Sequence, residues 1–396
     1  MYVLNYVCVM EPADPGDQSC TREVIDGWEF DLECLAFSAC GGAPGHQPVE
    51  LLVRVRTQCG VKAAALEHGR RACFLAARRI FGLLKAEPFD LNVYLLRSAA
   101  ECRRVAIELG RSSGLGPTCR GVSIATGPRP GTFHDAGQFW CLLAALRTIA
   151  HEMGHQVIRS LAPKRRIPTW FNEGCAEALA MAIAAESDPA YGDKIRFVRE
   201  AKAVGAARVA TLPLLVPLRS GARWGAALVS TAGHVGELAH LAVEFLVRGH
   251  AAGLGSLRQV LQRMAGGESF GESFETVFGQ TPPMFEQEFR GHVGGPLSAQ
   301  YPPGLNAQVR AVHGIGERLS FAWLGVPSEA VHRQYHDPTG KDSFSPKFGT
   351  ADSCGFLCFD FRRRSIHAAG TWVVTAEGGT GSRSSLEFEV IDSRSV

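Results

Sequence analysis

The sequence carries no excess of either charge: 41 Lys and Arg stand against 39 Asp and Glu, a formal net charge of +2. It lacks the one-sided basicity of phosphate-binding surfaces, so nucleic acid is not expected as a partner. No apolar run reaches the ~18 residues of a spanning helix. Arg147 breaks the best stretch and His234, Glu237 and His240 the next, so no integral membrane segment is expected. Met1 to Met10 has no basic n-region, and Glu11 and Asp14 arrive before an apolar core of useful length. No signal peptide is recognisable there, and the expectation is a chain that stays inside or a start that lies upstream. Among the twelve cysteines, ten of them at or before Cys175, there is no CxxC pair. A zinc ribbon and a thioredoxin motif are thereby excluded, and mostly reduced, buried thiols are expected. Internal repeats and low-complexity tracts are also missing.

What is present is enough for a full core: 396 residues, 46% of them hydrophobic, a length that predicts two domains. Residues 1–20, with Pro12, Pro15 and Gly16 among acids, read as a loosely held lead-in. Trp28 to Phe37 and Val49 to Val55 read as strands on either side of a breaker cluster at Gly41, Gly42, Pro44, Gly45 and Pro48. Ala63 to Leu84 has apolar residues at helical spacing, Leu91 to Leu96 is a compact strand, Ala99 to Leu109 a helix and Gly121 to Ala125 a strand. Phe139 to Leu161 is a long amphipathic helix that ends before Pro163. Further helices are expected at about Asn172 to Glu186, Val235 to Arg248, Leu257 to Ala265 and Pro283 to His292. The segment 294–304, GGPLSAQYPPG, reads as a Pro/Gly linker, and residues 305–396 change to short alternating runs. Strands there are expected at Leu319 to Leu324, Gly355 to Phe361, Gly370 to Ala376 and Ser385 to Ile391, forming a small β-sandwich with Cys354 and Cys358 in its core. Arg362 to Arg364 reads as a solvated charge run.

The chemistry lies in the long central helix, at His151-Glu152-Met153-Gly154-His155. Histidines four apart project from one helix face and can reach a single zinc ion, while Glu152, about 100° round the helix, falls beside the ion's open position. There a carboxylate can take a proton from a bound water whose pKa zinc lowers toward ~7. Catalytic zinc takes three protein ligands, so a third is required. Positions 158 and 161 are Ile158 and Leu161, which excludes a metzincin. The better candidate is Glu173 in Trp170-Phe171-Asn172-Glu173-Gly174-Cys175-Ala176-Glu177, at the start of a second helix that a loop through Pro163 and Pro168 turns back on the first. An acid there is also favoured by the helix dipole alone.

HEMGH followed by 17 residues and the glutamate of WFNEG resembles the gluzincin peptidases, especially the peptidase MA-like group and, more remotely, thermolysin and the aminopeptidases. LNVYLLRS and GVSIATG before the motif, and the run from Ala242 to Phe289 after it, extend the resemblance over roughly residues 60–292. The resemblance implies His151, His155 and Glu173 as ligands of one Zn²⁺ and Glu152 as the general base. It implies that Glu177 holds the first histidine, a supporting role with a clear physical purpose. It further implies an oxyanion donor from a later helix, for which His234 is the candidate, with His240 and Tyr191 as rivals. The Gly-x-Met-Glu-Asn string of the aminopeptidases is absent, which leans toward an endopeptidase. Substrate strands of zinc peptidases lie antiparallel along an edge strand, a part that Gly121 to Ala125 can play.

The expected fold is α+β: a two-lobed zincin-type domain at residues 21–293, with a mixed α/β front lobe and a helical rear lobe, then an all-β sandwich at 305–396. GTWVVTAEG and LEFEV in the latter resemble the last strands of bacterial immunoglobulin-like modules. The function implied is hydrolysis of a peptide or protein substrate by zinc-activated water. The alternative is a non-catalytic binding protein that keeps the fold and works through the sandwich, against which the retention of Glu152 argues. The partner of the sandwich is not specified. Family members are often exported, which sets the resemblance against the missing signal sequence and leaves localisation open.

Overall fold

The computed structural model describes residues 21–25, 28–39, 49–87, 89–110, 121–124, 130–163, 166–209, 214–231, 234–307, 313–314, 319–339, 347–361 and 369–391. The expected lead-in, the breaker cluster at 41–48, Ala125 and the Arg362 to Arg364 run lie outside them. The fold mixes α and β, with three sheets among the described residues, and its contacts define two units. The first comprises Met1–Ile167, Cys175–Asp188 and Val247–Phe278, and the second Pro168–Gly174, Pro189–Leu246 and Gly279–Val396.

In the first unit, strands β1 (Thr21–Ile25), β2 (Trp28–Ala39), β3 (Val49–Gln58), β4 (Leu91–Leu96), β5 (Gly121–Ile124) and β6 (Gly131–Asp135) form one sheet. Their order is β1-β2-β3-β4-β6-β5, with β3, β4 and β6 mutually parallel and the outer strands antiparallel. Parallel neighbours need crossovers, and helix α1 (Ala63–Leu84) and helix α2 (Ala99–Gly110) supply them. Because successive strand residues face opposite ways, β4 is buried on both sides. Its Leu95 meets Gly69 of α1, while Tyr94 and Leu96 join Val105, Ala106 and Leu109 of α2 with Phe133 of β6. Helix α3 (Leu142–Leu161) packs along α1 and over β5 and β6, and α4 (Thr169–Ser187) follows it.

The second unit contains α5 (Pro189–Val209), α6 (Gly221–Ser230) and most of α7 (His234–Gly249), while α8 (Gly255–Ala265) and α9 (Phe270–Phe278) belong to the first. Helix α10 (Pro282–His292) runs on through a π-helical turn, Val293–Leu297, and a short turn, Ser298–Gln300. The start of the expected linker is thus helical: Val293 and Leu297 are buried, and this turn packs on α5. Beyond it, β7 (Gly304–Ala307), β8 (His313–Gly314), β9 (Leu319–Leu324), β10 (Ala330–His336), β11 (Lys347–Thr350), β12 (Phe356–Phe361), β13 (Gly370–Gly378) and β14 (Arg383–Ile391) make two sheets. One is ordered β11-β10-β13-β14-β8 and the other β12-β9-β7. They share a core of Phe321, Trp323, Val331, Tyr335, Trp372, Val374 and Phe388. The Trp323 indole N–H, buried there, donates to Glu329 Oε1 at 2.8 Å.

Candidate metal centre

Helix α3 is an amphipathic helix whose stripe of Leu146, Ile149, Met153, Val157 and Ile158 is buried, which turns His151 and His155 to its half-buried face. Their Nε2 atoms face one another at 3.2 Å, with the rings at 88°. Two nitrogens on a tetrahedral zinc at 2.0–2.1 Å are about 3.3 Å apart, so this spacing fits a shared ion with almost no adjustment.

The orientation of His151 is set from α4. Its Nδ1–H donates to Glu177 Oε2 at 2.9 Å, and the other carboxylate oxygen accepts from Arg147 Nε at 2.6 Å. Glu177 is 3% exposed, so its charge depends on these partners. A carboxylate can only accept, which puts the His151 proton on Nδ1 and leaves Nε2 as the lone pair toward a metal. Gly154 lets α3 and α4 approach here: a methyl at this position would lie 3.1 Å from Ala176 Cα. Because α4 is unbroken from Thr169 to Ser187, Glu173 stands one turn ahead of Glu177 on the same helix face. Gly174, beside it, permits close packing on α7, where an added methyl would meet the Ala239 carbonyl oxygen at 2.6 Å and the Val243 side chain.

Glu152, 9% exposed, lies at the start of β5, the last strand of its sheet. A methyl on Gly121 would stand 3.0 Å from Glu152 Oε1. One turn along α3, Gln156 Nε2 donates to Ser123 Oγ at 2.6 Å and to the Gly131 carbonyl at 3.3 Å, fastening the helix to β5 and β6. Below them, His134 of β6 is fully buried with no hydrogen-bond partner on either ring nitrogen. Burial, reinforced by the nearby His151, pushes its pKa down to about 3, so the ring is neutral.

The expected oxyanion donor, His234, has its ring turned to Asp352, with Nε2 3.5 Å from Oδ2. Its pKa is lowered by burial and by Lys202, against the opposing pull of Asp352 and Glu237. The rival His240 has Nδ1 3.8 Å from Glu237 Oε2. Three participants in the site escaped sequence reasoning. Arg147 sits four residues before His151, a spacing that puts it on the same helix face and is the one available signal. Gln156 and His134 carry no signal, since their roles depend on which strands lie beside α3.

No family model and no curated protein matches the chain. Solved structures similar to it include an M1 zinc metallopeptidase from Deinococcus radiodurans, at 18% identity over 69% of this chain and 58% of that one, with a TM-score of 0.36. An aminopeptidase N family protein from Idiomarina loihiensis matches at 11% identity over 92% of this chain and 68% of that one, TM-score 0.43. Aminopeptidase A from Legionella pneumophila matches at 12% identity over 84% of this chain, TM-score 0.39, and the present chain spans only 36% of its length.

Proposed function

We propose that this chain is a zinc-dependent peptidase that holds one zinc ion through His151, His155 and Glu173. The observation that carries the reading is the pair of Nε2 atoms 3.2 Å apart on α3, with the His151 tautomer fixed by a buried Glu177 that Arg147 neutralises. Zinc, when bound, supplies a water of lowered pKa and polarises the scissile carbonyl. The remaining steps belong to the chain. Glu152, next to His151, accepts the proton of the attacking water and returns it to the departing amine. Strand β5, at the sheet edge beside Glu152, can pair with an extended peptide and present its carbonyl to the site. Glu177 keeps His151 in the ligating tautomer throughout.

Zinc content and casein cleavage of purified protein test the reading together. The expected outcome is about one zinc at this site, lost in Glu173→Ala, with cleavage abolished in Glu152→Gln while its zinc remains. A folded protein whose zinc is indifferent to Glu173→Ala overturns the ligand set. Zinc retained by a wild type inert toward unfolded and peptide substrates overturns the peptidase assignment in favour of a binding protein.

A further inference from the structure

We propose that His234, Asp352 and Cys354 form a second metal site, suited to zinc, which ties the start of α7 to the turn ahead of β12. An imidazole nitrogen, a carboxylate oxygen and the thiol sulfur lie within 4.8 Å of one another. His234 is 4% exposed, yet neither of its ring nitrogens has a hydrogen-bond partner. A buried imidazole in that state forfeits its hydration with only the 3.5 Å approach of Asp352 in return, and a metal ion is a partner that would restore the loss. The 3.5 Å from His234 Nε2 to Asp352 Oδ2 is close to the separation of two ligands on one tetrahedral zinc, about 3.3 Å.

The turn that carries the other two groups is built to hold them. Asp352 Oδ1 accepts from the backbone N–H of Cys354 at 2.8 Å and of Phe356 at 3.1 Å, which leaves Oδ2 for His234. The Asp352 N–H donates to Phe356 O, and its carbonyl accepts from Gly355 and Ser328. Gly205 of α5 lies against the turn, so close that a methyl on it would stand 3.1 Å from Cys354 O. Nitrogen, oxygen and sulfur together select a borderline-soft ion such as zinc over magnesium or calcium, and three ligands leave a fourth position for water.

Charge is consistent with this reading. Burial and the neighbouring Asp352 push the pKa of the Cys354 thiol up, with Ser353 and Lys202 opposing them. Binding would displace the thiol proton as the sulfur–metal bond forms. The thiolate and Asp352 together balance a dication, and Lys202 beyond them favours the thiolate. Of the other charged groups nearby, Glu237 is held by Arg199 at 3.1 Å.

Cobalt(II) distinguishes this site from the one on α3, because a His, His, Glu set has no thiolate. The full chain is stripped of metal, titrated with cobalt(II), and followed in the near ultraviolet. Two equivalents are expected for wild type, with a thiolate-to-cobalt charge-transfer band that Cys354→Ser removes as it lowers the stoichiometry from two to one. Asp352→Asn keeps the Oδ1 acceptor that organises the turn, and is expected to weaken the band-forming site at least about tenfold, as loss of a charged ligand should. The Glu173→Ala chain should keep the band, so failure of the α3 site and failure of this one read out separately. A wild type without the band, or a band that survives in Cys354→Ser, overturns the proposal.

Discussion

At the scale of single residues, the candidate centre depends on a chain of contacts from Arg147 through Glu177 to His151. Replacing Glu177 by Gln keeps its size but removes the charge that holds the His151 proton on Nδ1. Zinc affinity, measured by competition with a chelator, is expected to fall about 10–100-fold. Arg147→Met should act in the same direction, because it leaves a buried carboxylate without its cation. His134 gives a different readout. In the unfolded chain it protonates near 6.5, in the folded one only near 3, so between these values the unfolded state binds more protons. Stability contributed by this residue is therefore present above pH 6.5 and is lost as pH falls toward 3, at up to about 1.4 kcal/mol per pH unit. Urea midpoints of metal-stripped protein at pH 7 and pH 5 should differ less in His134→Leu than in wild type. The motif letters His151, Glu152 and His155 were legible in sequence because they share one helix. His134 was not, because nothing in the five residues of β6 says that a helix will cover them.

At the scale of elements, the positions that let helices approach are as informative as those that carry charge. An added methyl at Gly154 would press on Ala176 Cα at 3.1 Å, and one at Gly174 on the Ala239 carbonyl oxygen at 2.6 Å. Gly154→Val and Gly174→Ala are each expected to cost about 1–3 kcal/mol in urea unfolding, since backbone and helix axis must yield rather than a flexible side chain. Helix α1 at Ala63–Leu84, with one clear period, and strands β4 at Leu91–Leu96 and β9 at Leu319–Leu324, compact apolar runs, agree with the sequence expectation to the residue. Elements without such a signal were missed. Helix α5 opens with Pro189 and mixes buried Ala201, Ala203, Val204 and Ala206 on more than one side, so no single stripe marks it. Strand β6 is buried at all five positions and alternates nothing. Strand β10 holds His332, Arg333 and Gln334 between its buried Val331 and Tyr335, a polar run that conceals a strand. The glycines and Pro296 of the expected linker are breakers by type, yet buried Val293 and Leu297 hold its start in helical turns.

At the scale of the whole molecule, the described residues pack into more than one core. In the C-terminal sheets, Trp323 and Trp372 are fully buried in one cluster. Trp372→Ala should cost about 3–5 kcal/mol by thermal or urea unfolding, the range for emptying a large aromatic site. Metal is expected to contribute as well. Excess zinc at 100 times its dissociation constant adds about 2.7 kcal/mol for each site that binds only the folded chain, so a chelator should lower the melting temperature and zinc restore it. The bare backbone of Gly121 beside Glu152 has a consequence for how chains of this kind are told apart. Every letter of HEMGH and WFNEG can be intact while one carbon atom, thirty-one positions away in sequence, presses on the Glu152 carboxylate. Gly121→Ala should yield such a decoy, loaded with metal and poor at cleavage, and a search for working relatives of this chain should read position 121 along with the motifs.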